Sequence, residues 1–253
     1  MRLVIKIGTS TLTHATGRLN LRRFHALCET ISDIKNAGHE VILVSSGAIA
    51  MGVGKLGLPA RPDDVPTKQA AAAVGQCELM DAYDRSFGQY HHTVAQLLIA
   101  REDVAVPERR ENFSNTLFRL LALRALPIIN ENDTVSTAEF GIGDNDTLAA
   151  IVAQSAQADL LILLSDIDGL FSADPHRDAN AKRIPVVEAI TDDIRKLAGG
   201  KGTPNGTGGM ATKVHAAEIC GCDMVIANGF HPSVLYDILE GKDVGTRFVR
   251  EKK

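Results

Sequence analysis

The sequence predicts an α/β fold, in which a mostly parallel sheet is covered by helices on both faces. Short apolar runs alternate with helix-like segments along all 253 residues, which is typical of buried parallel strands joined by crossover helices. The composition is that of a globular protein, with 45% hydrophobic and 23% charged residues. A chain of this length can bury a large core, as one large domain or as two small ones.

The individual elements follow from this alternation in chain order. Strands are expected where short apolar runs are bounded by polar or glycine-containing turns, at 2–7, 41–45, 92–99, 126–130, 159–164 and 223–227. Helices are expected between them, near 20–37, 47–56, 67–87, 110–125, 145–157, 209–220 and 232–240. Gly38 and Gly221 follow two of these helices, and we expect them to form the C-terminal caps.

Two glycine-containing segments have a different character. Segment 134–143 (TVSTAEFGIG) alternates and ends in glycines, which predicts a small hairpin that presents Asp144, Asn145 and Asp146. The stretch AGGKGTPNGTGG (198–209) is the longest flexible segment, and it leads directly to Lys213. It is typical either of a mobile loop at an active site or of an ordinary linker.

The charge balance argues against two classes of partner. A net charge of −4 and a pI of about 6.1 give no basic surface that would attract nucleic acid or an acidic membrane. No apolar run reaches the roughly 18–20 residues that a membrane span needs. The chain enters a strand at residue 2, which leaves no room for a signal peptide. We therefore expect a cytoplasmic protein.

The cysteines do not form a recognisable framework. Cys28, Cys77, Cys220 and Cys222 are scattered along the chain. Cys220 and Cys222 lie near His215 and suggest a metal site, but no second Cys/His pair with zinc spacing follows. We expect structural thiols, and the sequence leaves any metal ligand unknown.

Two glycine patterns imitate nucleotide-binding motifs. GVGKLG (52–57) matches the dinucleotide fingerprint, but it falls inside or after a helix instead of in a strand–helix turn. GTGGMA (206–211) fits a looser form of the fingerprint but follows a flexible loop. The P-loop pattern is absent, because Lys213 is preceded by Thr212 and followed by Val214. A dinucleotide fold and a P-loop NTPase are therefore disfavoured.

Lysines beside glycines are the strongest chemical signal. Lys6 lies within an apolar strand just before Gly8, and Lys213 closes GTGGMATK (206–213) just inside a helix. Burying an ammonium group without a partner is costly, so the alternative for Lys6 is an edge-strand lysine whose charged end reaches water. Glycine lets backbone N–H groups approach a phosphate, and a helix N-terminus favours negative charge. This pattern indicates an anionic ligand.

Polar residues follow several of the expected strands. LVSSGAIAMG (43–52) places Ser46 before a helix, as a candidate N-cap or as part of a site for a substrate carboxylate. The run 130–133, the cluster Asp144-Asn145-Asp146 and the loop 165–175 also lie at strand or helix ends, where turn chemistry or capping would account for each one alone. Because ligands bind beyond the carboxyl ends of parallel strands, together they predict one site at that sheet edge. Two cations and a carboxylate cluster suggest phosphoryl transfer to a small acid.

The ordered motifs KIGTS, SSGAIA, INENDTV, GDND, SDIDGLFSADP and GTGGMATK resemble the amino acid kinase family, nearly end to end. The closest resemblance is to members that phosphorylate free glutamate. It implies one domain over 1–253 with a three-layer αβα sandwich. It also implies transfer of a phosphoryl group from ATP, with Mg²⁺, to the side-chain carboxylate of L-glutamate. The product would be L-glutamyl 5-phosphate, formed in the first step of proline biosynthesis.

The resemblance also implies residue roles. Lys6, Asp146 and Lys213 would be catalytic, with Asp146 orienting the two lysines. The ATP site would comprise Lys6, Gly8, Ser165, Asp166, Thr207, Gly208, Gly209, Met210, Ala211, Thr212 and Lys213. The glutamate site would comprise Ser46, Gly47, Asn130, Asp133 and Asn145.

The resemblance has departures and leaves alternatives. Many family members have Thr where this chain has Ser165, a change that retains the hydroxyl group. Many bacterial members append a C-terminal PUA domain, whereas this chain ends at Lys253. The family implies a homo-oligomer and, as a partner, the reductase that takes up glutamyl phosphate. Other members, which act on acetylglutamate, aspartate, carbamate or UMP, remain alternatives, as does a sensor without catalysis.

Overall fold

The computed structural model of the chain describes residues 1–136, 144–175, 178, 180–199 and 209–250. Its strands are β1 (Arg2–Ile7), β2 (Glu40–Ser45), β3 (Val94–Ile99), β4 (Leu126–Glu131), β5 (Leu160–Ser165), β6 (Val186–Val187), β7 (Asp223–Asn228) and β8 (Thr246–Phe248). They form one sheet in the order β3-β4-β2-β1-β5-β7-β8-β6. Only the pairing of β7 with β8 is antiparallel among these strands. The prediction of a mostly parallel sheet is confirmed.

The helices pack on both faces of the sheet. They are α1 (Thr9–Leu12), α2 (Leu21–Asn36), α3 (Ala48–Leu56), α4 (Val65–Gly88), α5 (Arg101–Ala105), α6 (Pro107–Ala122), α7 (Asn145–Ser155), α8 (Asp192–Ala198), α9 (Met210–Ile219) and α10 (Val234–Leu239). One apolar cluster joins α6, α7 and α9 to the sheet, and a second joins α2, α4 and α10 to the opposite face. The expected three-layer αβα sandwich is therefore present.

The central strand β1 shows how the sequence separates the two faces. Leu3 and Ile5 belong to the cluster under α2 and α4, whereas Val4 belongs to the cluster under α7. Side chains alternate along a strand, so Lys6 lies on the same face as Val4. In the sheet register, Lys6 pairs with Val44 of β2 and Leu163 of β5. The lysine is thus placed at the centre of the sheet, not on an edge strand.

All six predicted strands exist, and their bounds differ by at most two residues from those expected. The short elements β6, β8, α1, α5 and α8 were not expected, because segments of two to seven residues have too few positions for a periodic pattern. The expected helix 110–125 instead spans Pro107–Ala122, since a proline at the first turn favours an earlier start. Gly38 and Gly221 have positive φ angles of 95° and 73° just after α2 and α9, as expected of C-terminal caps.

The motif GVGKLG lies in α3 and in its C-terminal cap, so it is not a nucleotide-binding turn. Its first glycine is explained by packing: a Cβ on Gly52 would overlap with the carbonyl oxygen of Ala71 in α4. In the same contact, a Cβ on Gly75 of α4 would overlap with the carbonyl oxygen of Ala48. These two glycines let α3 and α4 pack backbone to backbone and fix the start of α3.

Two expectations fall partly outside the described residues. Most of the expected hairpin 134–143 and most of the flexible stretch 198–209 lie there. No helix among the described residues is long and apolar enough to cross a membrane.

Cys220 and Cys222 are buried, and the Cys220 thiol donates a hydrogen bond to the carbonyl oxygen of Cys222 at 3.1 Å. His215 instead faces Glu218, with 3.3 Å between Nδ1 and Oε2.

Candidate active site

A cleft of about 560 Å³ lies beyond the carboxyl ends of the central strands. β1, β2, β4 and β5 each deliver polar residues to it, which is where ligands bind in open parallel sheets. The predicted residues that line it are Lys6, Gly8, Ser46, Gly47, Asn130, Asp133, Asn145, Asp146, Ser165, Asp166 and Lys213. Residues 140 or more positions apart in the sequence are thus brought to one place.

A buried group of three charged residues forms the floor of the cleft. The Asp146 carboxylate forms an ion pair with each lysine, from Oδ1 to Lys6 Nζ at 2.8 Å and from Oδ2 to Lys213 Nζ at 2.9 Å. The Thr212 hydroxyl also donates to Asp146 Oδ2 at 2.8 Å. This lysine–aspartate–lysine triad joins β1, α7 and α9, and it carries a net charge of +1.

Burial makes the triad electrostatically strong. Asp146, Lys213 and Lys6 are only 1%, 4% and 8% exposed. Burial alone would raise the pKa of Asp146, but the charges of Lys6 and Lys213 and their hydrogen bonds outweigh burial and hold that pKa well below its usual range. Asp146 is therefore ionised at neutral pH, and it keeps two like charges close together in a poorly solvated place.

The start of α7 separates the roles of two neighbouring acids. Asp144 is the N-cap: its Oδ1 accepts hydrogen bonds from the backbone N–H groups of Asp146 and Thr147 at 2.8 and 2.9 Å. Asp146 takes no part as an acceptor in the cap, and its side chain faces the two lysines instead. Capping, which the sequence left open for both acids, therefore accounts for Asp144 only.

The start of α3 differs from the sequence expectation. The N-cap is Gly47 with φ of 108°, and no side chain caps this helix. The interpretation of Ser46 as the N-cap was wrong, because the left-handed turn at Gly47 moves the cap one residue on and a side chain there would be strained. The Ser46 hydroxyl instead accepts a hydrogen bond from Asn145 Nδ2 at 2.7 Å. The first N–H groups of α3 lie beside the cleft without a side-chain partner.

A chain of amide side chains crosses the other end of the cleft. Asn145 Nδ2 also donates to Asn130 Oδ1 at 2.9 Å, and Asn130 Nδ2 donates to Gln76 Oε1 at 3.0 Å. Asn130 is 2% exposed and Gln76 is 8% exposed. These contacts connect α7, β4 and α4, and they hold three predicted substrate residues in one network: Ser46, Asn130 and Asn145.

Asp133 lies in the turn after β4 and also lines the cleft. Burial and the neighbouring charge of Glu131 raise its pKa to about 6, against the opposing effect of Arg61. A carboxylate with a raised pKa favours a cationic ligand, since a positive charge nearby would stabilise its ionised form. It lines the same cleft as Asn130 and Asn145, which fits the recognition of an ammonium group.

The residues that the sequence predicts for a nucleotide site are described in part. Gly8 donates its backbone N–H to the carbonyl oxygen of Leu164 at 3.3 Å, and Ser165 donates from its hydroxyl to Asp166 Oδ1 at 3.2 Å. Gly209 is the N-cap of α9, again without a side-chain cap. Met210 packs partly against the core, and Ala211 is exposed. Thr207 and Gly208 lie outside the described residues.

Several residues of the site were not expected from the sequence. Gln76 lies in the middle of α4 and Arg61 in the loop before it, so neither adjoins a motif. The segment 13–17 also lines the cleft as a short turn closed by the bridge between Thr13 and Leu19. Gly17, with φ of 76°, is the one local sign of that turn. The positions of Gln76, Arg61 and segment 13–17 at the site depend on tertiary contacts, which a local sequence pattern does not predict.

The residues present fit phosphate binding better than a metal cage. Within the described ranges, no group of three or more His, Cys, Asp or Glu side chains lies close enough to hold a metal ion. Mg²⁺ is commonly held by substrate phosphates and only one or two carboxylates, so this arrangement is compatible with a magnesium–nucleotide complex that brings its own ligands.

The fold and the site agree with comparisons to known proteins. Residues 1–228 match the model of the amino acid kinase family, and the chain belongs to that family. Among curated relatives, it is 52% identical to glutamate 5-kinase of Caldanaerobacter subterraneus subsp. tengcongensis over 255 residues, which covers 100% of this chain and 68% of the relative. It is also 52% identical to glutamate 5-kinase of Symbiobacterium thermophilum, covering 99% of this chain and 96% of the relative.

Solved structures share the fold at low identity. Carbamate kinase from Giardia lamblia bound to AMP-PNP matches with a TM-score of 0.69 at 14% identity, over 99% of this chain and 98% of that one. Isopentenyl phosphate kinase from T. acidophilum matches with a TM-score of 0.65 at 19% identity, over 98% of this chain and 100% of that one. These likenesses support the αβα architecture.

Proposed function

We propose that this protein transfers the γ-phosphoryl group of ATP to the side-chain carboxylate of L-glutamate, giving L-glutamyl 5-phosphate. The observation that carries the proposal is the buried Lys6–Asp146–Lys213 triad, which faces the same cleft as the amide chain and Asp133. Relatives about 50% identical over the full chain that are named glutamate 5-kinase support the choice of substrate.

The chemistry needs little proton transfer. The acceptor carboxyl group has a pKa of about 4.3 in free solution, so it is already an ionised nucleophile at neutral pH. The main barrier is the approach of two anions, which positioning and charge neutralisation reduce. Mg²⁺ bound to the phosphates would supply part of that neutralisation. The absence of a general base from the triad is consistent with this reaction.

Lys6 and Lys213 supply the protein's share of positive charge. In this proposal both ammonium groups contact the phosphates, and they stabilise the charge that develops on the transferred group and on the leaving ADP. Asp146 holds them through ion pairs of 2.8 and 2.9 Å. Such preorganised cations need no rearrangement during the reaction.

The other end of the cleft would bind the amino acid. The uncapped start of α3 and the Ser46 hydroxyl suit a carboxylate, and Asp133 suits the α-ammonium group. Acetylation of that ammonium would remove the cation and leave Asp133 without a partner, which discriminates strongly in a poorly solvated site. Aspartate is one methylene shorter and would not reach the phosphorus.

Further expectations belong to the same proposal. We place one domain over 1–253 and a cytoplasmic location, with self-association of the chain. The reductase that consumes the product is a candidate partner. The residues of the ATP site, including Thr207 and Gly208, are proposed by resemblance to the family.

The test is release of ADP by the purified protein with ATP, Mg²⁺ and a panel of acceptors: glutamate, acetylglutamate, aspartate, carbamate and UMP. We expect turnover with glutamate at least 100-fold above acetylglutamate, on the scale of rejection by an unpaired polar group. Equal turnover of the two would refute the assignment of glutamate. Binding of glutamate without any ADP release would instead support the alternative of a sensor.

A further inference from the structure

We propose that Gln76 is a positioning residue, which fixes the donor and acceptor groups that the cleft presents to the amino acid. The inference rests on the proposed function and adds a residue to it. Gln76 lies on α4, behind the predicted substrate residues, and its side chain contacts Asn130 but is not among the residues that line the main cleft.

The orientation of the Asn130 amide is set by the backbone. The N–H group of Glu131 donates to Asn130 at 2.9 Å. A backbone N–H can only donate, so the atom of Asn130 that it contacts must be the oxygen. The other end of the same amide is therefore the NH₂ group, and Gln76 Oε1 is the acceptor that holds it at 3.0 Å.

The orientation of Asn145 follows from that of Asn130. Because Asn130 presents its oxygen, the atom of Asn145 at 2.9 Å from it must be Nδ2, which also donates to Ser46 Oγ at 2.7 Å. Both N–H bonds of Asn145 are then used. Its Oδ1 accepts no hydrogen bond from the described part of the chain, and Asn145 lines the cleft.

Two groups of opposite character are therefore offered to a ligand. Asn145 presents a pure acceptor, which suits an α-ammonium group. Ser46 accepts from Asn145, so its own proton remains available to donate, which suits a carboxylate. If Asn130 turned, Asn145 would be free to turn with it, and both groups would lose their direction. Gln76 is the last member of this chain of hydrogen bonds, and it holds Asn130 from the side of α4.

The test compares glutamate with glutarate, which has the same two carboxylates but lacks the α-ammonium group. The measured quantity is the ratio of the glutarate KM to the glutamate KM. Gln76→Met removes the acceptor and nearly conserves volume. We expect it to raise the glutamate KM on the order of 10-fold, as for loss of one buried hydrogen bond. The glutarate KM should rise by less, because glutarate loses only the aligned Ser46 donor and has no ammonium group for Asn145, and the ATP KM should change little. The ratio would fall accordingly.

Two variants separate positioning from general stability. Gln76→Glu keeps an oxygen facing Asn130 and should retain the wild-type ratio. Ser86→Ala is the control on the same helix, since Ser86 is similarly buried, at 7% against 8%, and it is not among the residues that line the cleft. It should leave the ratio unchanged. If Gln76→Met does not fold, Gln76→Asn, which withdraws the amide by one methylene, should lower the ratio instead.

The outcomes are decisive in both directions. An unchanged ratio in Gln76→Met, or an equal fall of the ratio in Gln76→Glu, would overturn the positioning role. A fall in kcat alone, equal for both acids, would also overturn it, because that is the signature of a loss of folded enzyme. Failure of the wild-type protein to phosphorylate glutamate would overturn the proposed function instead, and is seen before any variant is made.

Discussion

Replacing Asp146 with asparagine tests the electrostatic basis of the site. The carboxylate is 1% exposed and pairs with one lysine through each of its oxygens. An amide of the same shape has one oxygen and one NH₂ group, so in either orientation a donor would face an ammonium group, that of Lys6 or that of Lys213. Asp146→Asn therefore removes a charge and also creates a donor–donor contact.

The magnitude follows from the burial of all three groups. Removal of one partner from a buried ion pair typically costs about 3–5 kcal/mol, because an uncompensated charge remains. For a chain of this size, each kcal/mol lowers the Tm by about 2–4 °C. We therefore expect a Tm decrease on the order of 10 °C, with the fold retained. The kcat should also fall, since the two lysines would no longer be held in place.

The pH dependence gives an independent readout. The pKa of Asp146 in the folded protein lies below its value of about 3.9 in an unfolded chain. The unfolded state therefore binds more protons in that range, and the stabilisation is fully present above pH 4 and is lost as pH falls through the folded-state pKa. Between pH 5 and acid unfolding, the free energy of unfolding should depend less steeply on pH in Asp146→Asn than in the wild type.

The assay is thermal unfolding with and without ATP and Mg²⁺, together with steady-state kinetics. ATP should raise the Tm more in the variant than in the wild type, because the phosphates would meet two uncompensated cations. Asp193→Asn is the control: this acid pairs with Lys196 at 3.1 Å on the surface, with a side chain 88% exposed, and such pairs contribute about 0–1 kcal/mol. A variant with wild-type Tm and kcat at position 146 would refute the reasoning.

The remaining predictions concern Lys213, Asp133 and the contact between α3 and α4. Lys213→Ala should lower kcat by about 10²–10³-fold, whereas the surface change Lys196→Ala should not; retention of half the wild-type kcat would remove Lys213 from the mechanism. Asp133→Ala should raise the glutamate KM and leave the ATP KM unchanged. In the wild type, the glutamate KM should rise as pH falls through about 6, because protonation of Asp133 removes the charge that binds the ammonium group; a flat profile would contradict this. Gly75→Ala should destabilise the protein and raise the glutamate KM by pushing the start of α3 away, while Gly88→Ala at the end of the same helix, where a Cβ meets no atom within 4 Å, should do neither.

The sequence was sufficient for the six longer strands of the sheet because each is built around a short apolar run. LLILL in β5 is one such run, and its bounds were found within a residue. The two strands at the far edge of the sheet, β8 and β6, are short and take their place from pairing with β7 and with each other. Pairing between distant segments leaves no periodic trace, so these strands could not be found locally.

The site was predictable where glycine or a charge stands out against its surroundings. Lys6 was identified because an ammonium group is unusual in an apolar strand, and the structure gives it the buried partner that such a group requires. Ser46 was the wrong candidate for the N-cap of α3. Serine is preferred over glycine at N-caps in general, whereas the left-handed turn at this position favours Gly47. Gln76 could not be predicted, because a glutamine in a long helix looks the same whether it faces water or Asn130.

The three elements that carry the triad also set the order in which a functional molecule can form. Lys213 reaches Asp146 across 67 residues of sequence, and Lys6 reaches it across more than half of the chain. Contacts of such sequence separation form late, after the loops between them have been closed. During synthesis, a nascent chain that ends before α9 would hold Asp146 opposite a single cation. Regain of activity on refolding is thus expected to follow the recovery of helix content, and it would report on completion of the whole domain.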